Sequence, residues 1–135
     1  MKLTGIPRAE RFPRMIRVKQ TFQGPAVADV PAAVHAALGR LELPVKPGQS
    51  VALTVGSRGV VNIDAIVRAT VDHLKALEAH PFVIPAMGSH GGGTAEGQRA
   101  VLERYGVTEA TMGCPVRATM DVVQVGEALG LPIWL

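Results

Sequence analysis

The chain has 135 residues, the usual size of one domain, and 47% of them are hydrophobic against 19% charged, which excludes a disordered chain. Aromatic residues make up only 4%, so the core is expected from Val, Ala, Leu and Ile. The net charge of +3 forms no dense Lys/Arg patch with interleaved aromatics, which argues against nucleic-acid binding, and a lone cysteine, Cys114, excludes an internal disulfide and a zinc ribbon.

Residues 1–13 contain Gly5, Pro7 and Pro13 and read as an irregular lead-in, with Met1 to Glu10 lacking the apolar centre of a signal peptide. Residues 14–22 alternate in part, with Ile16, Val18 and Phe22 apolar, and are expected to form a strand. Asp29 is placed to cap a helix running to about Leu41, with Pro31 in its first turn and Val30, Val34, Leu38 and Leu41 near one face. His35 falls off that stripe and reads as a surface residue.

Val51 to Val55 is a continuous apolar run, the pattern of a strand buried in a parallel sheet. Gly56-Ser57-Arg58-Gly59 follows, and Asn62 is placed to cap the strongest helix of the chain, to about Glu78, with Ile63, Ile66, Val67, Val71 and Leu74 at helical spacing. His73 and His80 read as solvated on its polar side or just past its end. The unit then repeats. A strand over residues 82–86 leads into Met87-Gly88-Ser89-His90-Gly91-Gly92-Gly93, and a helix runs from Thr94, its expected cap, to Tyr105, where Gly106 stops it. A strand is expected at residues 121–125 and a shorter one at 116–119. Ile133-Trp134-Leu135 reads as the start of a further buried strand, so the chain is expected to be a fragment of a longer protein.

Two successive strand–glycine loop–helix units predict a parallel pair whose loops leave the same edge of the sheet. That edge is where open α/β sheets bind ligands. Arg58 and His90 should therefore be neighbours. Arg58 can hold a carboxylate or phosphate through paired hydrogen bonds, Ser57 can add a neutral donor, and His90 can move a proton near neutral pH. The bland alternatives are a surface arginine, turn bonding by Ser57, and turn and cap roles for Ser89 and Thr94. Glu96 and Asp121 could orient His90 only through the fold. Neither a nucleophile elbow nor a P-loop lysine is present, and Cys114 reads as a small buried residue.

At these two loops the sequence resembles the nickel-dependent lactate racemase family, over the stretch from about Val51 to Val125. Thr54-Val55-Gly56-Ser57-Arg58-Gly59 is similar to the family's first loop, where an arginine after a hydroxyl residue holds the substrate carboxylate. Met87-Gly88-Ser89-His90 with Thr94-Ala95-Glu96 is similar to its Gly-Thr-His segment. The resemblance implies a catalytic acid/base at His90, a carboxylate clamp at Arg58 with Ser57, and cofactor contacts at Gly88, Ser89 and Gly91.

The implied fold is a three-layer, Rossmann-like, mostly parallel sheet flanked by helices, with 1–135 as the N-terminal domain of a longer enzyme. The implied activity is racemisation or epimerisation of a 2-hydroxy acid with a nickel-pincer nucleotide, whose tethering lysine, nickel ligand and second catalytic histidine lie in a C-terminal domain outside this chain. No metal ligand is assigned here, and the fragment alone should not turn over. Val55-Gly56 replaces the family's usual acidic residue and histidine, Gly59 replaces a frequent proline, and Gly91 a frequent arginine. These departures point to a divergent branch acting on another 2-hydroxy acid. Two other readings stay open, a non-catalytic nucleotide- or anion-binding module and an interaction domain whose loops are merely turns. A soluble, cytoplasmic protein without membrane or nucleic-acid partners is expected, its oligomeric state open, a homo-oligomer included.

Overall fold

The computed structural model describes residues 15–24 and 26–135. The lead-in and Arg14 lie outside the described residues. Residues 15–22 do not form the expected strand. They lack regular structure, and Ile16, Val18 and Phe22 are exposed. Alternation makes a strand only where a neighbouring edge pairs with it and a core takes its apolar face.

Helix α1 spans Val30–Leu38, capped by the Asp29 carboxylate, which accepts from the Ala32 N–H at 2.9 Å. It ends three residues before the expected Leu41, with Gly39 as its C-cap. Helix α1 lies against α2, Ile63–Ala76, with Val34 and Leu38 half-buried. The exposed His35 ring and the half-buried His73 ring stand 6.0 Å apart between centroids.

Strands β1 (Ser50–Val55) and β2 (His80–Pro85) pair in parallel, in register from Ser50 with His80 to Val55 with Pro85. Helix α2 connects them and turns Val67, Val71 and Leu74 into the core. Its start differs from expectation. Asn62 sits at φ +59° and makes no side-chain cap bond. Asn tolerates the left-handed region, so here it turns the chain instead of capping it.

Helix α3 (Ala95–Arg104) begins as expected, Thr94 Oγ1 accepting from the Gly97 N–H at 3.1 Å. Gly106, at φ +76°, lets the chain leave it. A short helix α4, Glu109–Met112, was not legible in the apolar spacing. Thr108 and Thr111 cap each other across it, and Gly113 closes it at φ +62°. Of the strand expected at 116–119, only a parallel bridge from Val116 to Val83 forms.

The core joins Val55 and Val83 of the sheet, Val67 and Val71 of α2, Val101 and Leu102 of α3, Met112 and Val116. One sheet face therefore carries the helices. On the other, Ala52 and Thr54 are exposed and Phe82 and Ile84 half-buried.

Strands β3 (Gln124–Ala128) and β4 (Leu131–Trp134) form a separate antiparallel hairpin. Leu129 and Gly130 turn it, both at positive φ, as a two-residue turn of the tight primed type requires. The strand expected at 121–125 thus begins three residues later. The expected terminal strand at 133–135 exists as β4, but Ile133 and Trp134 are exposed, not buried. Together the described residues make a mixed α/β structure, with a two-stranded parallel sheet and an antiparallel pair. No helix among them is long and apolar enough to cross a membrane.

Candidate functional site

Parallel pairing fixes the site before any side chain is considered. With Val55 level with Pro85, and the Ala86 N–H bonded to the Val55 carbonyl at 2.8 Å, both strands end together. The two loops then run side by side. Ser57 and His90, 33 positions apart in sequence, touch: Ser57 Oγ and His90 Nδ1 lie 2.5 Å apart. Arg58, exposed and without an ion pair among the described residues, lines the same cleft of about 490 Å³ as Ser57, Gly88, Ser89 and His90. The expected neighbourhood of Arg58 and His90 is therefore present.

The Ser57 contact sets what His90 can do. With the proton on Nδ1, the ring donates to Ser57 and Nε2 is left with a lone pair, a base. Once Nε2 has taken a proton the ring is an imidazolium whose Nδ1–H still donates to Ser57 Oγ, and its Nε2–H is the acid that returns the proton. One hydrogen bond thus serves proton transfer in both directions. No carboxylate bonds His90 among the described residues: Asp121 accepts from Thr119 Oγ1 at 3.0 Å, and Glu96 is exposed in the first turn of α3.

Several residues that hold this geometry were missed by sequence reasoning. Tyr105 donates its hydroxyl to the Ser57 carbonyl at 3.1 Å, pinning the first loop from the end of α3. Gln98, a buried polar side chain, donates to the Gly88 carbonyl at 2.7 Å and pins the second. Its signal was available, because Gln98 occupies the apolar face of α3 with Val101 and Leu102. Arg104 was also missed. With Val101 and Tyr105 it lines a second cleft, of about 400 Å³, on the α3 side of Ser57 and His90.

The glycine turn is held by contact between backbones. His90–Gly93 forms a tight turn in which Gly91, at φ +66°, and Gly92, at φ +73°, take left-handed backbone. A Cβ on Gly91 would fall on the Gly97 backbone, and one on Gly97 on the Gly91 carbonyl. Internal packing therefore accounts for Gly91. Gly88, at φ +59°, has open space where a Cβ would be, and so lets a ligand approach the backbone.

Cys114 is buried, as expected, and burial pushes its thiol up while Lys75 and Arg68 pull it the other way. Comparison with protein-family models, curated proteins and solved structures finds no match to this chain.

Proposed function

We propose that this chain is the N-terminal portion of a nickel-pincer-dependent racemase or epimerase acting on a 2-hydroxy acid. The observation that carries the reading is the contact of Ser57 with His90 at 2.5 Å, in a cleft that Arg58 also lines. Arg58 holds the substrate carboxylate through paired N–H donors. His90, oriented by Ser57, takes the proton of the substrate hydroxyl and gives it back. Tyr105 and Gln98 keep the two loops at a fixed separation.

A bound nickel-pincer nucleotide would supply hydride-acceptor chemistry at the substrate's α-carbon. Its fit to these residues is partial. The open backbone at Gly88, with Ser89 beside it in the cleft, suits contact with a nucleotide, whereas the space beside Gly91 is filled by Gly97. No three His, Cys, Asp or Glu side chains gather into a metal site among the described residues. In this reading the nickel ligand and the tethering lysine belong to a C-terminal domain. The half-buried Phe82 and Ile84 on the helix-free sheet face support a third layer supplied by that domain, completing a Rossmann-like sheet.

The test is His90→Ala and Arg58→Gln in the complete, cofactor-loaded enzyme, followed by a chiral assay of the 2-hydroxy acid. His90→Ala is expected to abolish isomerisation with the fold intact, and Arg58→Gln to raise KM. Retained activity in His90→Ala refutes the assignment. Tight binding of a nucleotide by the chain alone, without nickel or isomerisation, supports instead a non-catalytic anion-binding module.

A further inference from the structure

At the opposite edge of the sheet, where β1 and β2 begin, lies a second groove of about 340 Å³. Ser50, Lys75, His80, Phe82, Cys114 and Arg117 line it. It takes no part in the chemistry assigned to His90. Its charge is of one sign. Lys75 and Arg117 form no ion pair among the described residues, and Cys114 is a buried thiol. Glu109, whose field reaches Cys114, is engaged elsewhere: it accepts from the Val116 N–H at 3.2 Å and lies 3.8 Å from Arg99.

The hydrogen-bonding capacity of the groove is equally one-sided. Lys75 spends one ammonium N–H on the Gly113 carbonyl, at 2.5 Å, and keeps the others. Arg117 is stacked over Phe82, its guanidinium carbon 4.3 Å from the ring centroid. Stacking occupies the face of the guanidinium and leaves its edge, which carries the N–H donors, for a ligand. The Ser50 hydroxyl and the His80 ring have no hydrogen-bond partner among the described side chains. A groove rich in donors, lined by one sign of charge, concentrates anions.

We propose that this groove binds a small molecule through its phosphate or pyrophosphate group. The donors come from the start of β1 and β2, the last turn of α2 and the segment after α4. They converge from several directions, which suits oxygens spread around a tetrahedral phosphorus better than the plane of a carboxylate. Arg117 supplies paired donors to two oxygens, Lys75 a point charge, and Ser50 a neutral donor.

Inorganic pyrophosphate is the probe, titrated into the purified chain at low ionic strength by calorimetry, with the His80 ring followed by NMR. Saturable binding is expected, weakening as salt is raised. Arg117→Gln should weaken it about tenfold and His80→Ala several-fold, since the first removes a charged partner and the second a polar one from an exposed position. Arg40→Gln, an exposed position that lines neither cleft, should leave it unchanged. Should Arg117→Gln fail to fold, His80→Ala decides alone. Absence of saturation, loss of binding in Arg58→Gln but not in Arg117→Gln, or citrate binding as tightly as pyrophosphate overturns the proposal.

Discussion

Replacing Gly97 by Ala sets two effects against each other, and the structure decides between them. Ala inside a helix is favoured over Gly by about 1 kcal/mol. The new methyl, however, would overlap the Gly91 carbonyl and come within 2.9 Å of Thr94 Oγ1, the capping oxygen of α3. The first obstacle is backbone and cannot swing aside, so the glycine turn must move. Overpacking ordinarily costs about 1–3 kcal/mol, and a backbone obstacle places this case at the upper end. The net expectation is destabilisation by about 2 kcal/mol. The turn carries His90, so its contact with Ser57 should loosen as well. Urea unfolding measures the first effect, and the His90 ring resonances report the second. Gly92→Ala is the control, because a Cβ there meets open space and only the positive φ opposes it. If Gly97→Ala is as stable as the parent, the account of the turn is wrong.

Leu102→Ala empties a fully buried position among Val67, Val83 and Val107 and should cost about 2–5 kcal/mol in the same unfolding assay. Tyr105→Phe removes the donor to the Ser57 carbonyl; a loss of about 1 kcal/mol is expected, with a shifted His90 ring resonance as the sign that the loop has moved. Cys114 should react slowly with a thiol reagent at neutral pH in the folded chain and rapidly in urea, because burial raises its pKa and keeps it neutral. The sign for stability follows. The folded thiol holds its proton more firmly than the unfolded one, so its contribution is complete below the unfolded pKa and falls away as pH rises through the folded one.

The paired loops were legible because each carries its own punctuation. An apolar run, a glycine cluster and a helical stripe occur twice in succession, and parallel pairing then brings Ser57, Arg58 and His90 to one edge. The contacts that stiffen the site were less legible. Gln98 needed to be noticed as a polar residue on an apolar helix face, and Tyr105 acts on a residue 48 positions away, which no local pattern encodes. Alternation at 15–22 misled, since a strand is a property of a pair of segments and the pattern describes one. Asn62 misled for a different reason: the same side chain serves a cap or a left-handed turn, and the backbone around it chose the turn. The hairpin could have been placed better. Leu129-Gly130 is its turn, and reading outward from it would have set the strand at Gln124.

The Ser57–His90 contact is most directly tested by the ring nitrogens of the histidines. Four histidines stand at positions 35, 73, 80 and 90, so their long-range nitrogen–proton spectra can be assigned by substitution. Ser57→Ala should displace the Nδ1 resonance of His90 and its tautomer balance, leaving those of His35, His73 and His80 in place. An unchanged His90 spectrum in Ser57→Ala would mean that the two loops do not meet, and the acid/base site built on them would go with that contact.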